Sequence, residues 1–246
     1  MKKFFLSIAI VSTFFTSRSW SLTPDQILAK ADAVRNPQID YTVNVKVTST
    51  RPNKSPSVYT YTALIKGRDK SVVKTVSPEV DRGRILLMNG SNFWGYLPNV
   101  SKPLRISLQE RLVGEVANGD LARTNFSGDY DIISSKEVVE KGEKLHVLDL
   151  KAKTEDITYG RVVIWIRQGS YQPVRAEFYA FSGRLLKNCE YGGYKSLGGG
   201  TRPTQLTLRD AVNKDQYSVL IYSDMVVAPL PDKYFNKDAM KRFTAE

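Results

Sequence analysis

From Tyr41 onward apolar and polar residues alternate. Tyr41, Val43, Val45 and Val47 form one set, and Thr42, Asn44, Lys46 and Thr48 the other. That period of two is the signature of a strand with one buried face. The pattern returns after the 51–56 turn at 59–65, 71–76, 85–88 and 93–97, and again at 145–150, 161–166, 174–181, 185–191, 204–208 and 217–222. Turn residues separate the runs about every ten residues, which predicts an antiparallel meander. Ser182-Gly183 predicts a tight hairpin and the 198–200 glycines a looser one.

Some strands are oily on both sides. Val162, Val163, Ile164, Trp165 and Ile166 run without a polar break, and Phe178, Tyr179 and Phe181 nearly do. A sheet with one wet face should alternate cleanly, so the second face needs a cover. Three helices are predicted to supply it. The first starts at Thr23, with Pro24 at the first helical position and Gln26 completing a capping box. Ile27, Leu28 and Ala31 form its inward face. The second starts at Ser107, with Glu110 as its capping partner and Leu108, Leu112, Val113 and Val116 as its stripe. Gly114 inside it costs about 1 kcal/mol relative to alanine, which suits a movable lid. The third lies at the C-terminus, with Asn236 as cap and Phe235 and Met240 stapled across it. The fold class is mainly β (α+β): one antiparallel sheet of about ten strands, too large to stay flat, with short helices over its concave side.

The N-terminus sets the compartment. Lys2 and Lys3 precede an apolar run from position 4 to 15, short of the roughly 20 residues that span a bilayer. Ser19 and Ser21 mark a cleavage site, so residues 1–21 are expected to be a signal peptide cut after Ser21, leaving one domain over 22–246 in the periplasm. The chain has 36 Lys and Arg against 25 Asp and Glu, a net +11, which becomes +8 once Lys2, Lys3 and Arg18 leave. That charge favours anionic headgroups or acidic partners. Export and the scatter of the cations argue against nucleic acid. Cys189 is the only cysteine, so the fold has no internal disulfide and the thiol reads as a buried structural one.

A catalytic constellation is missing. His146, the only histidine, sits mid-strand between Leu145 and Val147 with no partner motif. One His and one Cys make no zinc site, and the 198–200 glycines lack the following Lys and Ser or Thr of a phosphate loop. Asp120, Asp129 and Asp131 read as caps and turns. No enzyme activity, cofactor or metal is expected.

Phe93-Trp94-Gly95-Tyr96-Leu97-Pro98-Asn99-Val100 leads into Pro103-Leu104-Arg105-Ile106-Ser107, and Asn118-Gly119-Asp120-Leu121-Ala122-Arg123 follows. These turns, with 178–186, Cys189 and the 230–235 tail, resemble the outer-membrane lipoprotein-sorting family of LolA-like periplasmic carriers over nearly the whole mature chain. The resemblance implies a half-open β-barrel with an α-helical lid that carries the acyl chains of a lipoprotein or lipid towards the outer membrane. It implies a monomer that meets an inner-membrane transporter, of ABC or RND type, and an outer-membrane acceptor. Accessory protein of an RND-type lipid exporter, and sensor or regulator of the same fold, stay open as alternatives. Under this reading Trp94, Tyr96, Leu104, Ile106, Leu108, Leu112, Val163, Trp165 and Phe178 are cavity or lid residues. Arg105, Arg111 and Arg123 are headgroup candidates. Family carriers hold the lid with an arginine on an early strand; Lys46 and Arg51 stand on the early strand here, and neither matches that residue.

Overall fold

The structure, a computed structural model, describes residues 22–100, 102–123 and 125–244. The expected signal peptide and its cleavage after Ser21 lie outside them. Helix α1 (Pro24–Arg35) forms as expected: Thr23 Oγ1 accepts from Gln26 N–H at 3.3 Å, and Gln26 Oε1 accepts from Thr23 N–H at 2.9 Å. The strands are β1 (Tyr41–Arg51), β2 (Lys54–Lys66), β3 (Lys70–Ser77), β4 (Ile85–Asn89), β5 (Asn92–Tyr96), β6 (Leu104–Arg105), β7 (Arg111–Val113), β8 (Val116–Ala117), β9 (Tyr130–Glu140), β10 (Glu143–Ala152), β11 (Arg161–Arg167), β12 (Pro173–Tyr179), β13 (Leu185–Leu197), β14 (Gly200–Asp210) and β15 (Tyr217–Val227). A five-residue helix, α2 (Asn118–Ala122), follows β8.

Thirteen strands make one antiparallel sheet in the order β6-β5-β4-β3-β2-β1-β15-β14-β13-β12-β11-β10-β9. The edge strands β6 and β9 do not pair, so the sheet curls without closing into a barrel. This order places a demand on the chain. The first six strands meander outward from β1, and the last seven meander back until β15 pairs with β1. To pass from β6 to β9, residues 106–129 must travel from one edge of the sheet to the other. The described parts of this connection, 106–123 and 125–129, lie across its concave face.

Two expectations need correction here. Residues 107–116 are not a helix. Ser107 and Glu110 make local bonds of the expected kind: Glu110 Oε1 accepts from Ser107 N–H at 3.3 Å, and Ser107 Oγ from Gln109 N–H at 3.1 Å. The chain then enters the β7–β8 hairpin. Gly114 sits at its tip with φ +55°, the left-handed region that suits glycine, and a Cβ there would lie 2.0 Å from Ser49 Oγ and 2.4 Å from Ser218 Oγ. The glycine is therefore a wedge point against β1 and β15, rather than a weak place in a helix. At the C-terminus the expected α-helix is two short 3-10 turns, 232–235 and 237–244. Asn236 still acts as a cap, its Oδ1 accepting from Asp238 N–H at 3.0 Å. Phe235 and Met240 are buried, as the staple required. β9 was not anticipated: most of its side chains are exposed or half-exposed, so alternation left little mark.

Candidate functional site

The concave face gathers one continuous apolar cluster. It runs from Met88 and Phe93 on β4 and β5 through Val45, Tyr61 and Leu220 at the centre to Ile164 and Leu148 on β11 and β10. α1 and the 106–129 segment cover it. α1 presses Ile27, Leu28 and Ala31 into it, and the segment contributes Leu108, Val113, Val116, Leu121 and Phe126. Phe178 lies under this cover. Its ring stacks on Tyr159 at 4.4 Å between centroids and tilts against Phe126 at 6.3 Å.

Polar contacts hold the cover down. Asp32, buried on α1, accepts from the backbone N–H groups of Phe126 (2.9 Å) and Ser127 (2.6 Å) and pairs with Arg35 at 2.9 Å. The Arg35 guanidinium lies 4.0 Å from the Phe126 ring centroid. Burial opposes the charge of Arg35, but Tyr191 and Asp32 outweigh it and raise its pKa. Arg202 of β14 donates to the carbonyls of Ala33 (2.8 Å) and Val34 (3.1 Å), anchoring the C-terminal end of α1, where a cation suits the helix dipole. Burial pulls the Arg202 pKa down. Lys187 of β13, itself buried, donates to Asp120 Oδ2 at 2.6 Å and to the Glu115 carbonyl at 2.5 Å. Asp120 also accepts from Tyr159 Oη at 2.5 Å and from Ala117 N–H at 2.8 Å. Burial first, and then Asp120, push the Tyr159 pKa well up. Ser218 Oγ accepts from Glu115 N–H at 2.9 Å, and Ser71 Oγ donates to the Ala122 carbonyl at 2.8 Å. The fit is not complete, since the buried side-chain amide nitrogen of Asn125 has no hydrogen-bond partner among the described residues.

With the cover down, little space remains. A cavity of about 30 Å³ lies among Asp120, Asn125, Phe126 and Phe178, and one of about 60 Å³ among Tyr41, Val45, Leu121 and Tyr222. They match about one and two water volumes, far less than a hydrocarbon chain needs. Roomier openings flank the cover among the described residues, one of them a polar recess of about 250 Å³ beside Val113 and Gly114. A hollow of about 210 Å³ at the β6 side is bordered by Leu104, Ile106 and Leu112, and a cleft of about 500 Å³ opens at the end of β12, β13 and β14.

The expected cavity residues divide between the two faces. Phe178 and Leu108 lie in the concave cluster, and Ile106 and Leu112 pack against it. Leu104, opposite Gly95, is half exposed at its rim. Val163 and Trp165 face the other way. Register pairs them with Glu177 and Arg175, whereas Val162 and Ile164 pair with Phe178 and Ala176. The second apolar side of β11 is therefore covered by neighbouring side chains: the Arg175 guanidinium lies 4.1 Å from the Trp165 ring centroid and pairs with Glu140 at 2.6 Å. Trp94 and Tyr96 also sit on the convex side, in a small cluster with Val72, Ile85 and Leu87 beneath Leu230, Phe235 and Met240. Tyr96 in addition borders the hollow at the β6 side. Of the headgroup candidates, Arg105 packs on Trp94 on the convex side and Arg123 is held by Asp129 at 2.6 and 2.7 Å. Arg111 is exposed and borders the large cleft. Cys189 is buried on the concave side, and burial pushes its thiol up to about 12. The three acids read as caps have separate cationic partners: Asp120 with Lys187, Asp129 with Arg123 and Asp131 with Lys153.

Of the residues that tie the cover down, the sequence singles out only Asp120, as a cap, and Asp32 and Lys187 leave a trace. Asp32 falls on the inward stripe of α1 beside Leu28 and Ala31, and Lys187 occupies the inward phase of β13 with Cys189 and Tyr191. A charge in an apolar register asks for a buried partner.

Comparison with known proteins turns on a solved structure, a LolA superfamily protein from Nitrosomonas europaea. It is 41% identical, covers 89% of this chain and 99% of its own, and superposes with a TM-score of 0.82. The chain belongs to the LolA superfamily. A family model described as "uncharacterized protein" also matches residues 67–242. The same LolA fold recurs in a domain described as an outer membrane lipoprotein-sorting protein, from Vibrio parahaemolyticus (21% identity, TM-score 0.75, covering 89% of this chain and 98% of that one). It recurs again in a DUF1329 family protein from Desulfovibrio piger (21% identity, TM-score 0.74, covering 88% and 97%). No curated protein matches the chain. Among the described residues no group of three or more His, Cys, Asp or Glu is placed to hold a metal, and no helix is long and apolar enough to cross a membrane.

Proposed function

We propose that this LolA superfamily member is a periplasmic carrier. It takes the acyl chains of a lipoprotein or lipid onto the concave face and moves them towards the outer membrane. One observation supports this reading above the rest: the apolar face is covered by segments outside the sheet that polar contacts hold in place. Such a cover can be exchanged for cargo.

The energetics suit an exchange. Burying a sixteen-carbon chain gains on the order of 12 kcal/mol, at about 0.8 kcal/mol per methylene. Leu108, Val113, Val116, Leu121 and Phe126 together gain about 10 kcal/mol when buried, at roughly 1.5–3 kcal/mol each. Cargo and cover are worth nearly the same, so loading can be reversed. An empty hollow of that area would bind almost irreversibly. An inner-membrane transporter of ABC or RND type supplies the load and an outer-membrane acceptor takes it, with the carrier working as a monomer.

The test is to export the chain in a Gram-negative host under its own leader, purify it from the periplasm, and weigh it intact by native mass spectrometry before and after solvent extraction. Stoichiometric lipid or acylated protein is expected. A protein that emerges empty, and takes up no acyl chain when offered lysolipid, refutes the carrier.

A further inference from the structure

The cleft of about 500 Å³ at the end of β12, β13 and β14 combines two kinds of wall. Val116, Phe181 and Leu185 supply apolar surface, while Arg111, Arg184 and Lys187 supply cations. Two acids also line it, and both are engaged. Glu115 receives a bond from Gln216 at 2.7 Å and lies 4.0 Å from Arg111, and Asp210 accepts from the N–H groups of Val212 (2.9 Å) and Asn213 (2.7 Å). The Arg184 side chain is exposed and has no ion pair or side-chain hydrogen bond among the described residues. Its guanidinium is thus available to an incoming anion.

The floor of the cleft adjoins the concave core. Thr158 and Tyr159 line both the cleft and the 30 Å³ cavity behind it. Lys187 lines the cleft, and its partner Asp120 lines the cavity. The ion pair therefore stands between the partly cationic cleft and the smaller cavity under the cover, which Asp120, Phe126 and Phe178 line. It also ties the 115–120 stretch of the cover to the sheet.

We propose that this cleft binds the anionic, phosphate-bearing headgroup of an amphiphile, with Arg111 and Arg184 at the rim and Lys187 at the floor. An anion that reaches Lys187 takes the place of Asp120. The cover then loses its tie to β13, and the acyl chain enters where the cover lifts. This inference rests on the carrier reading and adds to it a headgroup class, a point of entry and a release step.

Two lysolipids with the same acyl chain, lysophosphatidylglycerol and lysophosphatidylcholine, are titrated below their micelle concentrations into the mature protein by calorimetry, with glycerol phosphate as the chain-free control. The same titrations are run on Arg111→Gln, Arg184→Gln and the double variant. Both arginines are exposed, and circular dichroism and thermal melting check that the variants fold. The anionic lysolipid is expected to bind at least about tenfold tighter than the zwitterionic one, and the double variant to lose most of that preference. Glycerol phosphate is expected to bind at least about a hundredfold more weakly. Equal affinity for the two lysolipids, or a preference that survives in the double variant, overturns the headgroup site and leaves the carrier standing. Glycerol phosphate binding as tightly as the lysolipid makes this a site for free phosphate and overturns the amphiphile. Failure of both lysolipids to bind removes the carrier reading, and the headgroup site with it.

Discussion

The sheet is covered on both faces, and the two covers differ in construction. On the convex side the 230–240 stretch closes over Val72, Ile85, Leu87 and Tyr96, and apolar contact does most of the work. Its polar ties lie at the margin: Lys66 Nζ donates to the Leu230 carbonyl at 2.7 Å, Asn89 Nδ2 to the Phe235 carbonyl at 3.0 Å, and Lys70 pairs with Asp232 at 2.9 Å. On the concave side the cover is larger, leaves cavities beneath it, and drives its polar ties into the interior at Asp32, Lys187 and Ser218. A dry apolar patch gains from being permanent. Buried ion pairs add little net stability, because desolvation offsets attraction, yet they lose much when one partner is removed. Ties of that kind suit a cover with two positions: they define the closed state well and can be undone by a competing charge.

The sharpest way to break the contrast is at Lys187. Lys187→Met leaves Asp120 buried without its cation and should cost about 3–5 kcal/mol in urea unfolding, with new protease cleavage confined to 107–120. Adding Asp120→Asn should recover most of that loss. A stable, protease-resistant single variant would mean that the ion pair does not hold the cover. Leu87→Ala probes the other face. A buried leucine truncated in a dry cluster should cost about 2–5 kcal/mol while lysolipid affinity stays unchanged. A change in affinity would show that the two faces are coupled. The smallest effect at neutral pH comes from the concave tyrosines and the thiol. Burial raises the pKa values of Tyr159, Tyr191 and Tyr222, and pushes Cys189 to about 12. Each is held neutral in the folded state. Its contribution is complete below the unfolded values, near 8.5 for the thiol and 10 for phenols, and is lost as pH rises past them. The thermal midpoint should therefore be insensitive to these groups near pH 7 and fall steadily above about pH 9. These phenols should ionise at 295 nm only as the protein unfolds. Early ionisation of all tyrosines would place them in solvent.

Much of this molecule was legible in its sequence. Alternation at Tyr41–Val47 located β1, the capping box at Thr23 located α1, and the oily run at 162–166 announced a strand buried on both sides. The Ser107 box makes a local turn and does not start a helix. Its local bonds exist, but a helix also needs the following residues to stay right-handed, and Gly114 does not. The candidate site was legible as chemistry and not as placement. Alternation states that Val163 and Val162 face opposite ways, but not which of them faces the cover. That is why Val163, Trp165, Trp94 and Tyr96 lie on the convex side, whereas Phe178, Leu108, Ile106 and Leu112 belong to the concave one.

Local pattern alone determined that this chain makes a large antiparallel sheet with more apolar surface than one face can hold, because strand period and turn chemistry act over a few residues. Tertiary structure alone decided what happens to that surface. β1 pairs with β15, so β6 and β9 become opposite edges, and the connecting stretches 106–123 and 125–129 lie over the concave face between them. The same closure brings Lys187 to Asp120, 67 residues earlier in the chain. Contacts over such distances follow from the order of strands in the sheet, which no short window of residues contains.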